Sequence, residues 1–487
     1  MSRRSPSPLL RAGRAILLAP FLLLLPGLDA AAAASPAPPS KPALSSEDGY
    51  GLLRRLVAGP AAERRAAARA LAESRDPSLV PGLIDAYFFL PRGERAAALA
   101  ALATLSGERP GERYHDWVEL VERRQDLTAK PGYLKFKGEL LARIDPGFAA
   151  LLYDGAPARI RPEEIVFGGV PPEGIPALDR PAHVPAAAAG AEYLTGTERV
   201  FGASVRGEAR AYPLRILDWH EMVNDVLGGE PVTLSYCTLC GSGVLYATRG
   251  PAGEAYTFGT SGLLYRSNKL MMDRQTRTLW GNLTGEPVLG RLAAGAARLA
   301  VLPVVVTTWK EWLARHPETS VLALDPGMER RWGYRYLPGA AEQRRAGVAF
   351  PVWPKSGALD PKAEIYAVRL GERAKAYPVQ RALAERVIND RLGEEPLVVV
   401  ADPGSGAVRA YRRGRRTFAP RPGGAAGELV DGEGRLWTAG EETLAPAVPD
   451  PEALALERLP GHVSFWLGWY AFFPHSELYG TAAPGVP

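Results

Sequence analysis

The chain has 487 residues, enough for two or three domains, and its 46% hydrophobic and 23% charged content is ordinary for a folded soluble protein. Its formal charge of +5 comes mostly from the first 34 residues, which hold four arginines and Asp29. Without them the balance is +2, so a nucleic-acid partner has no electrostatic support.

Residues 1–34 read as a signal peptide: Arg3, Arg4, Arg11 and Arg14 precede an apolar run over 15–28 and an alanine stretch over 30–34. The run is too short to span a bilayer and is interrupted by Pro20 and Pro26. The expectation is an exported protein, periplasmic or extracellular, with no membrane span in the mature chain. A Pro/Ser/Ala linker fills 35–46. Over 47–155, Leu and Ala recur at helical spacing in 65–74, 78–89 and 93–106, with breaks at Asp76-Pro77 and Pro91-Arg92-Gly93. Two more helices are expected over 114–125 and 133–143. The alternation resembles HEAT-type helical hairpins. Such a region either docks a protein partner or caps the β-rich part of the chain.

From residue 160 onward Gly, Pro and aromatic residues rise and the pattern becomes strand-like. A hairpin is expected over 199–212, turning at Arg206-Gly207. Pro213 then opens a predicted helix with Ile216, Trp219, Val223, Val226 and Leu227 on one stripe, ended by Gly228-Gly229. A short apolar strand over 231–236 runs directly into Cys237, and further strands are expected over 243–248 and 256–259.

Sliding the chain by 165 positions lays Ala211-Tyr212-Pro213 on Ala376-Tyr377-Pro378 and Asn224-Asp225 on Asn389-Asp390. From 209 to 246 there are twelve identities in thirty-eight ungapped positions, where roughly three are expected by chance. At a shift of 157, Trp309, Trp312 and Pro317 fall on Trp466, Trp469 and Pro474. The fold expectation is therefore α+β: a helical HEAT-like N-terminal region, then two β-rich lobes (160–325 and 364–480) from a diverged internal duplication. The apolar segment 465–473 is too short to cross a membrane and aligns with an amphipathic one.

What only the first copy keeps is candidate chemistry. Cys237 faces Asp402 and Cys240 faces Ser405, while Trp219-His220-Glu221 faces Ala384-Glu385-Arg386. The stretch 260–269, with Ser261, Asn268 and Lys269, has no clear counterpart. A Cys-x-x-Cys pair in an exported chain with no other cysteine closes too short a loop to be an efficient staple and suits a reversible redox couple. In that reading Cys237 attacks, Cys240 resolves, His220 is the base or thiolate stabiliser, and Glu221 orients it. Ser261, Asn268 and Lys269 bind substrate or steady the thiolate, and no cofactor is required. Strand–Cys-x-x-Cys-Gly–strand is also the shape of a metal knuckle, with Cys237, Cys240 and His220 as ligands for Zn or Cu(I). A third reading is a non-catalytic scaffold or binding protein, with a half-buried helix histidine and polar surface loops. Asn224-Asp225, present in both copies, is expected at a structural helix end.

The ordered motifs Arg210-Ala211-Tyr212-Pro213, Trp219-His220-Glu221-x-Val223-Asn224-Asp225, Tyr236-Cys237-x-Leu239-Cys240-Gly241 and Ser261-Gly262-x-Leu264-x-x-Ser267-Asn268 occur in that order along the chain. Asp273-Arg274-x-Thr276-x-x-Leu279-Trp280 and Trp309-x-x-Trp312-x-x-x-His316-Pro317 complete the set. From about residue 160 to the C-terminus the chain resembles DUF3179, a family of exported bacterial and archaeal proteins without an established activity. The resemblance implies thiol redox chemistry, because some members carry selenocysteine at the Cys-x-x-Cys motif.

Overall fold

Helices come first and sheets come after them. The computed structural model describes residues 44–481 apart from 189–192, 251–252, 325–346, 351 and 452. The expected signal peptide and most of the linker lie outside the described residues. Among those described, seven α-helices precede residue 160: α1 (Ser46–Ala58), α2 (Ala61–Ser74), α3 (Val80–Phe88), α4 (Arg95–Ser106), α5 (Tyr114–Arg123), α6 (Tyr133–Leu141) and α7 (Gly147–Leu151). Local chemistry sets their ends. The Ser45 hydroxyl accepts from the Asp48 N–H at 3.1 Å to start α1, and Gly107, at φ 75°, closes α4. Their apolar faces share a core with Leu53, Leu83, Leu102, Trp117 and Phe136, which also takes in Val166 and Leu264 from the sheets.

The next elements are β1 (Ile165–Phe167), β2 (Leu178–Asp179), β3 (His183–Pro185), β4 (Arg199–Val205), β5 (Glu208–Pro213), α8 (Leu214–His220), β6 (Met222–Leu227), β7 (Glu230–Cys237) and β8 (Ser242–Ala247). They continue as β9 (Phe258–Tyr265), β10 (Asn268–Asp273), β11 (Leu279–Gly281), β12 (Pro287–Leu289), β13 (Ala300–Leu302), β14 (Val305–Thr308), α9 (Trp309–Arg315) and β15 (Ser320–Leu322). Three five-stranded sheets result, ordered β1-β9-β10-β11-β12, β13-β8-β7-β6-β2 and β14-β4-β5-β15-β3.

Beyond residue 360 come β16 (Glu364–Leu370), β17 (Arg373–Pro378), α10 (Val379–Glu385), β18 (Val387–Leu392), β19 (Glu395–Ala401), β20 (Val408–Arg412) and β21 (Phe418–Pro420). The chain ends with β22 (Glu428–Asp431), β23 (Leu436–Ala439), β24 (Thr443–Pro446), β25 (Leu456–Leu459), β26 (Gly461–Phe465), α11 (Trp466–Phe472) and β27 (Glu477–Leu478). A four-stranded sheet, β26-β16-β17-β27, adjoins an eight-stranded one, β18-β19-β20-β25-β24-β23-β22-β21. The larger sheet curls into a near-barrel whose edges meet at Asn389: its amide donates to the Phe418 carbonyl at 2.7 Å and accepts from the Phe418 N–H at 2.8 Å.

The same construction recurs on the first side. Asn224 donates to the Phe258 carbonyl at 2.8 Å and accepts from the Phe258 N–H at 2.9 Å, stitching β6 to β9. Tyr212 and Tyr377 each donate to the aspartate 13 residues on, Asp225 or Asp390, at 2.9 Å. The indoles of Trp312 and Trp469 each reach a hydroxyl, Thr319 or Ser476, at 2.9 Å.

The helix expected from Pro213 to Leu227 is shorter than its stripe implied. It stops at His220 because Glu221 takes a left-handed φ of 55°, and Met222–Leu227 is a strand. Asn224 and Asp225 therefore lie on β6, a strand between β7 and β2, and not at a helix end. Their side chains make bonds to other strands that a helix would not allow.

Candidate functional site

The two cysteines sit at the mouth of the β7–β8 hairpin. Cys237 is the last residue of β7, paired with Ser242, and the four residues between them form the turn, with Gly241 at φ 56°. That turn brings the two sulfurs together. Both are free thiols and both are buried, Cys237 at 1% exposure and Cys240 at 0%. Their surroundings differ.

Cys237 lines a cleft of about 200 Å³ with Glu221, Thr238, Ser261 and Lys269 at its polar end and Val170, Ile175, Leu239, Leu263 and Phe350 along its walls. Burial pushes its thiol up, as does the Glu221 carboxylate. The Cys240 hydrogen bond, the Lys269 backbone N–H and the Lys269 ammonium outweigh both, and the thiol lies below its ordinary value. Cys240 goes the other way. Its hydrogen bond to Cys237 pushes it well up, followed by burial and the neighbouring sulfur's charge, while Asn268 and Lys362 pull weakly down. Its Sγ also reaches the Ser267 carbonyl at 3.1 Å.

Lys269 is the cation of the site. It enters from β10, is 5% exposed, and donates from Nζ to the Glu221 carbonyl at 2.6 Å. The Glu221 carboxylate stands 3.7 Å away and is itself fixed by the Thr238 hydroxyl at 2.9 Å. Burial lowers the lysine's pKa, and Glu221 and Cys237 support its charge. The left-handed turn that ends α8 is what presents both the carbonyl and the carboxylate of Glu221 to Lys269.

His220 is placed elsewhere. Its Nδ1 lies 2.7 Å from the Pro176 carbonyl, its ring is fully buried, and it does not line the cleft. Burial lowers its pKa, against the Pro176 carbonyl. Lys269 stands beside Glu221 in the cleft, which His220 does not line. Among the described residues no group of three or more His, Cys, Asp or Glu that could hold a metal ion is found, the Zn or Cu(I) set of Cys237, Cys240 and His220 included.

The other expected residues divide. Ser261 lines the cleft, but its hydroxyl donates to the Leu270 carbonyl at 2.6 Å and accepts from the Leu263 N–H at 3.1 Å, closing the β9–β10 bulge next to Gly262. Asn268 is fully buried on the Cys240 side, donating to the Ser242 hydroxyl at 3.2 Å, and does not line the cleft.

Contacts distant in sequence complete the site. Phe350, Leu239 and Leu264 pack against the helical core, so α1–α6 form the foundation under the cleft wall. On the far side, the Phe465 N–H donates to the Cys240 carbonyl at 2.7 Å. Gly468 of α11 lies directly on the sulfur: a Cβ there would stand 2.7 Å from Cys240 Sγ. Arg266, at the β9–β10 turn, holds Glu164 at 2.9 Å and reaches the second lobe at the Ala471 carbonyl, 2.8 Å away. Arg266 and Ser267 both hold positive φ, 48° and 60°, in the turn that presents the Ser267 carbonyl to Cys240. Sequence proximity signals neither Gly468 nor Phe350. In the second lobe the hairpin at the same place pairs Asp402 with Ser405 at 2.5 Å and has no sulfur.

A family model described as a protein of unknown function (DUF3179) matches residues 172–476, well over half the chain. The chain belongs to that family. No curated protein and no solved structure matches it.

Proposed function

We propose that this DUF3179 protein is a thiol-based redox enzyme, with Cys237 the attacking thiolate and Cys240 the resolving thiol. The asymmetry of the pair carries the reading. Cys237 faces a cleft beside a buried ammonium group, while Cys240 is sealed behind it as a thiol. Two-step thiol chemistry needs that division: the first sulfur requires charge and access, and the second needs only to reach the first. Lys269 stabilises the charge and Glu221 holds Lys269. The short Cys-x-x-Cys loop adds little chain-entropy stabilisation to the disulfide, which favours reopening it. The test is the reduction potential of the Cys237–Cys240 couple, read by alkylation and mass spectrometry across thiol redox buffers. A potential above about −230 mV supports turnover; one below about −300 mV, or thiols that never pair, contradicts it.

Three further elements belong to the proposal. The two lobes are copies of a diverged internal duplication, supported by matching element order and by the paired Asn, Tyr and Trp bonds. In this view the second copy lost its chemistry and became the lid of Cys240. The packing of α1 on α2, α2 on α4 and α3 on α1 and α4 supports a HEAT-like helical region. Residues 1–34 direct export, which places the cysteines in a disulfide-permitting compartment. N-terminal sequencing of the mature protein tests this, and retention of residues 1–34 contradicts it.

A further inference from the structure

The cleft over Cys237 limits what can be oxidant for the pair. With 1% and 0% exposure, neither sulfur can be reached by a disulfide carried on a folded polypeptide, because thiol–disulfide exchange puts three sulfurs in line. The opening of about 200 Å³ holds roughly six waters at about 30 Å³ each, or one small organic molecule. Its walls are apolar: Val170, Ile175, Leu239, Leu263 and Phe350. Its two charged groups, Glu221 and Lys269, stand 3.7 Å apart and answer each other. A zwitterionic disulfide would lose its hydration there without gaining a partner. A neutral molecule with a short apolar tail and one polar reacting end fits the lining.

The buried second thiol narrows the class again. Resolution by Cys240 requires the first step to leave on Cys237 a group that a thiol can displace. That excludes alkylating electrophiles, whose carbon–sulfur adduct Cys240 cannot undo. The displaced group leaves from Cys237 on the side away from Cys240, into the cleft of about 200 Å³, which takes a group as small as hydroxide.

We infer that the substrate is a small organic hydroperoxide, seated with its alkyl group against Val170, Leu239 and Phe350 and its O–O bond between Cys237 Sγ and Lys269 Nζ. This rests on Cys237 being the attacking thiolate. The thiolate attacks the terminal oxygen; the S–O bond forms and the O–O bond breaks. The departing alkoxide takes a proton from the Lys269 ammonium and leaves as the alcohol, and Cys237 becomes a sulfenic acid. The Cys240 sulfur then attacks Cys237. The S–S bond forms, the S–O bond breaks, and hydroxide leaves as water with the Cys240 proton. The two sulfurs have supplied two electrons. An external dithiol reduces the disulfide, and the proton released as Cys237 returns to thiolate restores Lys269.

The experiment uses the reduced full chain with tert-butyl hydroperoxide, hydrogen peroxide and oxidised glutathione as separate probes, reading thiol loss by stopped flow. In Cys240→Ser, dimedone traps sulfenic acid at residue 237. The expected result is dimedone addition at Cys237 and a tert-butyl hydroperoxide rate at least about a hundredfold above free cysteine, the contribution of a positioned proton donor. Oxidised glutathione should react far more slowly. Val170→Phe, which fills the cleft, should slow tert-butyl hydroperoxide by a larger factor than hydrogen peroxide. Absence of sulfenic acid, or oxidised glutathione matching the hydroperoxide, overturns the inference. If the pair still equilibrates above about −230 mV in redox buffers while hydroperoxide is inert, only the substrate class falls; if the thiols never pair, both readings fall.

Discussion

Gly468→Ala is the most informative single perturbation, because it acts on Cys240 from a lobe that has no cysteine of its own. The added methyl would lie 2.7 Å from Cys240 Sγ and 2.8 Å from its Cβ. The sulfur has little room to retreat: its Sγ meets the Ser267 carbonyl at 3.1 Å, and its own carbonyl is held by the Phe465 N–H at 2.7 Å. Adding a methylene-sized group to a filled site costs about 1–3 kcal/mol, offset by up to about 1 kcal/mol from the better helix propensity of alanine. A net loss of about 1–2 kcal/mol is expected in the dithiol form. In the disulfide form Cys240 Sγ is drawn toward Cys237 and away from α11, so the loss shrinks. The variant should therefore favour the disulfide and make the couple more negative, by about 30 mV for each 1.4 kcal/mol of difference. Urea midpoints of reduced and oxidised protein, followed by tryptophan fluorescence, supply the first quantity, and redox-buffer titration the second. Equal destabilisation of both forms, or an unchanged potential, refutes the argument that Gly468 bears on the sulfur.

The same geometry sets other outcomes. Lys269→Met removes the ammonium that favours the Cys237 thiolate, so iodoacetamide alkylation of Cys237 at neutral pH should slow and recover as pH rises; an unchanged pH profile removes Lys269 from the site. Asn224→Ala takes four hydrogen bonds from a 5% exposed position and should cost about 2–4 kcal/mol in urea denaturation, whereas Asn389→Ala, at an exposed edge, should cost under about 1 kcal/mol. Glu122 is buried beside Glu164, and its carboxyl is pushed up to about 8, by burial first. The folded state then keeps a proton that the unfolded chain releases near pH 4.3, so stability should fall as pH rises across that window. Glu122→Gln, which keeps an acceptor for the Trp353 N–H, should flatten the dependence; an identical slope in both proteins contradicts it.

Much of the lobe architecture is legible in the sequence because short motifs recur along it. The paired Tyr-Pro and Asn-Asp motifs mark strand positions whose side chains make the same bonds in both lobes, and such bonds constrain residue type. The end of α8 is not legible, because Val223, Val226 and Leu227 satisfy a helical stripe and a strand alike; the left-handed turn at Glu221 decides between them. The cysteines stand out because they lack counterparts at Asp402 and Ser405. His220 misleads for a physical reason: next to Glu221 in sequence, it lies on the other side of a chain reversal, and its ring faces Pro176. Ser261 owes its place in the cleft to the backbone bulge it closes. Gly468, Phe465 and Phe350 reach the site from more than a hundred residues away in sequence, where local pattern carries no information.

The most direct measurement is the order in which the two thiols of the reduced, folded protein react with less than one equivalent of iodoacetamide, resolved by peptide mass spectrometry from pH 5 to 9. The account predicts that the label goes to Cys237 throughout, because only that sulfur combines a cleft with a stabilised thiolate, and that Cys240 stays unmodified until the fold is opened. Label appearing first on Cys240, or equally on both, would contradict the assignment of attacking and resolving thiols and the mechanism built on it.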